Sequence, residues 1–365
     1  MKLFGRKSGR EGSRPALGRV SVGPAVGDWP RSYEAQVRDG YCLNPIAQRA
    51  VRIVSEGVGW APVDASAPEL AQLLAAPSGA QPLLETVAAQ LLLHGNAYVQ
   101  LLGDGQGGIG ELFALRPERV AVEPAADGWP AAYRYRVGER VMRLMAEGPR
   151  PEVIHLKAFH PADDHYGLGC LGAAAGAIAI HNAATRWNKA LLDNAARPSG
   201  ALVYDPGDGA ALSAEQFARL RQEMEEGFAG AANAGRPMLL EGGLRWQAMS
   251  LSPADMDFVG LKAAAAREIA LAFGVPPMLV GLPGDAAYAN YREANRALWR
   301  LTILPLAATI LGGLAHGLRG WWPEAAMSVD LNRVPALAED RERLWRSVAG
   351  ADFLTDDEKR KVVGL

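Results

Sequence analysis

The chain has 365 residues, 49% of them hydrophobic and 21% charged, and a formal net charge of −2. That is the profile of an ordinary soluble protein with two or three structural units and room for a sizeable core, and it excludes an overall electrostatic pull toward nucleic acid or an anionic membrane. Its two cysteines, Cys42 and Cys170, make neither a disulfide framework nor a zinc spacing, which suits a reducing compartment.

Residues 1–19 hold Lys2, Arg6, Lys7, Arg10, Arg14 and Arg19 against one acid, Glu11, and lack the apolar core of a signal peptide. They predict a solvated basic tail. Asn44-Pro45 then opens a helix with Ile46, Ala50, Ile53, Val54 and Val58 along one side, and a second apolar helix over 82–94 is stopped by Gly95. Six short runs follow between turn residues: AYVQLL, ELFALRP, RVAVEP, YRYRV, VMRLM and VIHLKAF. They predict a β-rich unit, so residues 41–168 form one α/β or α+β module. Residues 171–194 are helical again, with an alanine- and glycine-rich first half that lets a neighbouring helix approach closely. A small insert comes next: the strand ALVYDP, a helix opened by a Ser213…Gln216 capping box, and a strand pair RPMLLEGG and LRWQAMSL around Gly242-Gly243. Near the C-terminus a helix covers 336–348, and Thr355 with Glu358 makes another capping box.

The most informative stretch is 252–318. Ser252 as N-cap, Pro253 in the first turn and Asp255 start a helix with Met256, Val259, Ala263, Ala266, Ile269 and Phe273 on its apolar side. Gly274 and Pro276-Pro277 end it, a loop runs from Met278 to Asp285, and helix resumes near Ala287. Residues 301–318, LTILPLAATILGGLAHGL, carry no formal charge apart from His316 and are bracketed by Arg300 and Arg319. A run of that length meets the threshold for a membrane span, but the sequence is better explained by a helix buried on all sides inside a large protein or an assembly.

Two clusters invite a chemical reading. Gly103-Asp104-Gly105-Gln106-Gly107-Gly108 formally contains GxGxxG, but a strand follows where a dinucleotide site needs a helix N-terminus, so it predicts a hairpin turn. His155, His160, Asp163, Asp164 and His165 gather half of the chain's six histidines. Imidazoles and carboxylates together ligate divalent ions, so a metal-dependent enzyme is one alternative; an ordinary solvated loop is the other. No GK[ST], GxSxG, HExxH or CxxC pattern occurs, and the expectation is a chain with no cofactor and no catalytic activity.

Several phrases in a shared order resemble phage portal proteins of the compact class found in long-tailed phages and gene-transfer-agent-like particles. They are Leu93-His94-Gly95-Asn96-Ala97-Tyr98-Val99, Ile154-His155, Asn194-Ala195-Ala196-Arg197-Pro198-Ser199-Gly200, Leu251-Ser252-Pro253-Ala254-Asp255, Glu268 through Pro277, Thr302-Ile303-Leu304-Pro305, and Gly350…Leu354-Thr355…Glu358…Arg360. The phrase Ile269-Ala270-Leu271-Ala272-Phe273-Gly274-Val275-Pro276-Pro277 is the most specific. Where similar chains have Gly-Leu-Ser-Pro-Leu, this one has Gly167-Leu168-Gly169-Cys170-Leu171, losing a serine cap and a first-turn proline.

The resemblance implies an α+β portal-type subunit. Residues 1–40 would be a flexible basic tail, 41–168 an α/β wing, 169–197 and 253–273 two stem helices, and 198–252 a small α/β clip. Residues 274–290 would be a tunnel loop, 291–320 a long kinked wing helix, and 321–365 a helical crown. It further implies a homo-oligomeric ring, usually a dodecamer, at one capsid vertex of a virion assembled in the host bacterial cytoplasm, with no membrane involved. Its partners would be the major capsid protein, the terminase large subunit, a head–tail adaptor and double-stranded DNA in the channel. The tunnel-loop residues Gly281, Leu282, Pro283, Gly284 and Asp285 include no base, so they would touch DNA without holding its phosphates.

Overall fold

A computed structural model of the chain describes residues 16–18, 32–193, 200–205, 211–228, 243–248, 257–282 and 288–363. Regular structure reaches back to Ser32, into the segment assigned to the tail. Ser32 caps α1 (Tyr33–Gln36), which runs on as a wide π-helical turn, Val37–Cys42. The next helix, α2 (Pro45–Gly59), starts as expected: the Asn44 side-chain oxygen accepts from the N–H groups of Ile46 and Ala47, at 3.1 and 3.0 Å. Pro45 takes a position where no intrahelical donor is needed. After β1 (Val63–Ala65), α3 (Pro68–Ala75), β2 (Pro77–Ser78) and β3 (Gln81–Pro82) comes α4 (Leu83–His94).

All six predicted strands form. β4 (Asn96–Gly103), β5 (Ile109–Leu115) and β9 (Val153–Lys157) make one antiparallel sheet in the order β5-β4-β9. β6 (Val120–Pro124), β7 (Pro130–Val137) and β8 (Arg140–Met145) make the other, in chain order. The glycine run is the β4–β5 hairpin, where Asp104 Oδ1 accepts from the N–H groups of Gln106 and Gly108 at 2.7 and 2.9 Å. A small core of Tyr98, Leu115, Val120, Tyr133, Leu144 and Val153 joins the two sheets.

Helix α5 (Cys170–Asp193) leaves the two-sheet unit, and the insert contains β10 (Gly200–Tyr204), α6 (Ala214–Phe228) and β11 (Leu244–Ala248). The Ser213 box is present: Gln216 N–H donates to Ser213 Oγ at 3.2 Å, and Ser213 N–H donates to Gln216 Oε1 at 2.9 Å. β11 pairs antiparallel with β10, whereas RPMLLEGG, expected as its partner, lies outside the described residues. Helix α7 (Phe258–Ala272) returns beside α5. Trp187, late in α5, stacks on Phe258 at the start of α7 with ring centres 5.8 Å apart, so the two helices run antiparallel.

The long apolar helix comprises α8 (Tyr288–Leu298), a π-helical turn over Trp299–Ile303, and α9 (Leu304–Leu318). The wide turn stands directly before Pro305, whose ring collides with the carbonyl one turn back in a regular helix. Asn290–Leu318 is long and apolar enough to cross a membrane. Its residues Ile303, Ala307, Ile310, Leu311, Leu314 and Leu318 are instead buried in the main core with α2, α4 and β9. Each large one contributes about 1.5–3 kcal/mol by leaving water. Within one subunit the helix is buried on one side, as Leu301 is 77% exposed and Pro305, Ala308 and Gly312 are also on the surface.

After α9, β12 (Met327–Val329) returns to pair with β1, tying residue 63 to residue 329. The chain ends in α10 (Ala338–Ala349) and α11 (Asp356–Val363), the second capped by the Thr355–Glu358 box. Arg296 of α8, 9% exposed, bonds Glu293 at 3.1 Å and Glu339 of α10 at 2.7 Å, which fastens this end of the chain to the long helix.

Candidate functional site

The helix–loop–helix is rigid at its base. Asp257, in the left-handed region at φ 40°, caps α7 by accepting from Gly260 N–H at 3.1 Å. The described helix begins at Phe258, five residues beyond the predicted Pro253; Ser252, Pro253 and Asp255 lie outside the described residues. At the other end Gly274, at φ 66°, closes the helix: its N–H donates to Leu271 O, and Val275 N–H donates to Ala270 O, both at 2.9 Å. Thr302 in the π-helical turn then donates its hydroxyl to Gly274 O at 2.7 Å, so the end of α7 is hydrogen-bonded to the long helix.

From there Pro277–Val280 makes a 3-10 turn, which Gly281 ends at φ 79° with its N–H on Met278 O at 3.2 Å. Gly281 is exposed and Leu282 half-exposed; Pro283, Gly284 and Asp285 lie outside the described residues. The loop is thus held by backbone bonds as far as Gly281. The Thr302–Gly274 bond carried no sequence signal beyond a threonine in an apolar run.

The helices flanking the loop keep apolar side chains on their outer faces. Val259 is 82% exposed and Leu271 77% exposed on α7, and Leu301 leads the exposed side of the long helix. Ala265, Ala266, Ile269 and Phe273 face inward. An isolated subunit gains nothing from such a surface, whereas a packed neighbour does.

The histidine–carboxylate cluster is committed to structure. His155 Nε2 donates to Asn96 Oδ1 at 3.0 Å, Tyr133 donates its hydroxyl to His155 Nδ1 at 3.2 Å, and the ring stacks on Tyr98 at 4.3 Å. Asn96, 1% exposed, also takes Gly167 N–H on Oδ1 at 2.7 Å and donates to Gly167 O at 3.2 Å. Asp163 Oδ1 accepts from the N–H groups of His165 and Tyr166, at 2.8 and 3.1 Å. His160 Nδ1 accepts from Ala162 N–H at 3.0 Å. His165 Nε2 donates to Gly128 O at 2.7 Å, and Asp164 Oδ2 accepts from Gly18 N–H at 2.9 Å. Among the described residues no three His, Cys, Asp or Glu side chains converge as a ligand set.

Burial pushes the pKa of His155 down to about 3, with Lys157 and His94 adding to the shift. An unfolded histidine takes up a proton near pH 6.5, so between the two values the unfolded chain binds more protons than the folded one. Stability from this residue is complete above about pH 6.5 and falls as the pH drops toward 3. Part of the ring faces a cleft and is solvated, so the loss expected between pH 6.5 and 4.5 is about 1–2 kcal/mol, below the 1.36 kcal/mol per unit of a fully buried group. Denaturation midpoints of the wild type and His155→Phe across that range check it: the wild-type slope should be the steeper.

An α/β wing, an antiparallel helix pair tipped by a small α/β insert, and a long helix crossing back over the wing make the fold of a portal-type subunit. The sequence model of the family "Phage portal protein" matches residues 45–364, and the chain belongs to that family. It is 39% identical over 355 residues to an uncharacterized protein of Rickettsia bellii (strain RML369-C), covering 90% of this chain and 88% of that one. Among solved structures it is similar to a chain of the virion of a native gene transfer agent particle, at 48% identity and TM-score 0.72, covering 94% of this chain and 96% of that one. A chain from the neck of the native particle, computed with C12 symmetry, matches at 49% identity and TM-score 0.72, covering 92% and 94%.

Proposed function

We propose that the chain is the portal subunit of a phage or gene-transfer-agent particle, forming a closed ring at one capsid vertex through which double-stranded DNA is packaged and ejected. The observation that carries this reading is the near-half identity, over almost the whole chain, with a chain from the neck of a native gene transfer agent particle, computed with C12 symmetry. The outward apolar side chains of α7 and the long helix fit the heterologous subunit contacts that close a ring. The reading makes α5 and α7 the stem, the insert from β10 to β11 the clip, and α10 and α11 the crown. The clip would meet the terminase large subunit and later the head–tail adaptor, and the wing would meet the major capsid protein.

The loop after Gly281 would face the duplex. Each phosphate neutralised by Lys or Arg adds to affinity, and residues 278–285 contain neither, so the loop touches DNA without gripping it. A portal so built works as a channel and performs no covalent chemistry. The purified full chain, followed by light scattering and electron microscopy across salt and protein concentration, is expected to form closed rings; a chain that stays monomeric under every condition refutes the proposal.

A further inference from the structure

Residues 16–18 of the supposedly solvated tail lie against the wing. Leu17 N–H donates to Asp127 O at 3.3 Å and Gly18 N–H to Asp164 Oδ2 at 2.9 Å, while Asp164 N–H donates back to Gly18 O at 3.2 Å. An extended segment is therefore gripped from two sides, by the β6–β7 loop and by the loop after β9. Those two loops are also bonded to each other through His165 and Gly128.

The receptor is shaped for a backbone. Gly128 has φ 85°, and a Cβ there would stand 2.5 Å from Leu17 O and 3.0 Å from Leu17 N. Real side chains do not approach that closely, so the glycine is the notch through which the segment passes. Leu17 itself, half-buried, lines a cleft of about 800 Å³ whose walls include Trp129, Tyr133, His155 and Gly317. Main-chain bonds with an adjoining apolar pocket are how proteins recognise extended peptides. The family match begins at residue 45, so this segment lies outside the part shared with the family model.

We propose that this wing cleft is a docking site for the chain's own N-terminal arm, with Leu17 as its anchor and Asp164 as its clasp. The two aspartates that look like metal ligands then have a division of labour: Asp163 folds the loop, and Asp164 holds the arm.

Hydrogen exchange of the full-length protein, read by mass spectrometry over residues 16–18, tests this. The amides of Leu17 and Gly18 are expected to exchange at least about tenfold more slowly than in an unstructured peptide. Leu17→Ser and Asp164→Ala should each abolish the protection and leave the wing strands unchanged. Intrinsic exchange rates in the wild type, or protection that survives both variants, overturn the proposal. A mixture of the two variant chains separates the remaining case. If neither chain regains protection, the arm docks on its own subunit; if the mixture does, the arm comes from a neighbouring copy and the proposal as stated is wrong.

Discussion

Gly95→Ala is expected to destabilise the protein by about 3 kcal/mol, far more than one methyl group suggests. Gly95 ends α4 at φ 79°, and its carbonyl accepts from Ala158 N–H at 2.8 Å. A Cβ at Gly95 would overlap the backbone of residues 167–169, and the reverse holds too, since Cβ atoms at Gly167 and Gly169 would overlap residues 93–95. Two main chains cross in direct contact, and neither can yield without breaking the Asn96–Gly167 bonds beside them. The left-handed backbone accounts for about 1–2 kcal/mol of the loss and the overlap for about 1–3 more. Gly138→Ala is the control: its φ is 57°, but nothing stands within 4 Å of the added methyl, so only the backbone strain applies. Urea midpoints at one fixed protein concentration compare the two; equal losses would mean the crossing is slack.

The same crossing bears on residue 169, where this chain has glycine in place of the serine of a serine–proline start. At residue 169 a serine Cβ would strike Leu93 O, so here the close approach decides the residue and a helix cap is given up. The sequence showed the departure but not its cause, because the two segments are far apart in the chain.

What was legible follows one pattern. Features set by neighbouring residues were readable: the Asn44, Ser213 and Thr355 caps, the glycine hairpin and the six strands β4–β9 all stand as expected. Features set at a distance were not. The β1–β12 pair joins two three-residue strands far apart in the chain, each too short to show alternation. Asp257 starts α7 from a left-handed conformation that a regular capping pattern does not encode. The histidine–carboxylate cluster left two readings open for a related reason, because the residues that fold a loop through side-chain-to-backbone bonds are the same types that bind metals. Only the positions of Asn96, Tyr133 and Gly128 reveal where their bonds go. At the loop, sequence located Gly274 as the end of α7, but neither the turn that Gly281 closes nor the hydroxyl of Thr302 that joins α7 to the long helix.

That junction frames the largest functional effect expected. Shortening the loop by deleting residues 283–286 should leave ring formation intact and reduce the particles that retain DNA by about tenfold or more, as expected for a loop that obstructs the duplex by shape. The base of the loop supports its own geometry: Gly274 is tied to Thr302, and Gly281 closes its turn on Met278, upstream of the deletion. Removing residues beyond Gly281 therefore takes away the segment proposed to face the duplex and spares the bonds that position α7 and the long helix. Thr302→Val is the complementary change. It removes the hydroxyl bond at the base but keeps the loop's full length, so a loop acting through contact with DNA should keep most of its function in that variant. Electron microscopy scores the rings and nuclease-protected DNA scores retention. If the deletion abolishes rings, the segment is a structural part of the subunit interface; if both rings and retention survive it, the loop does not face the DNA.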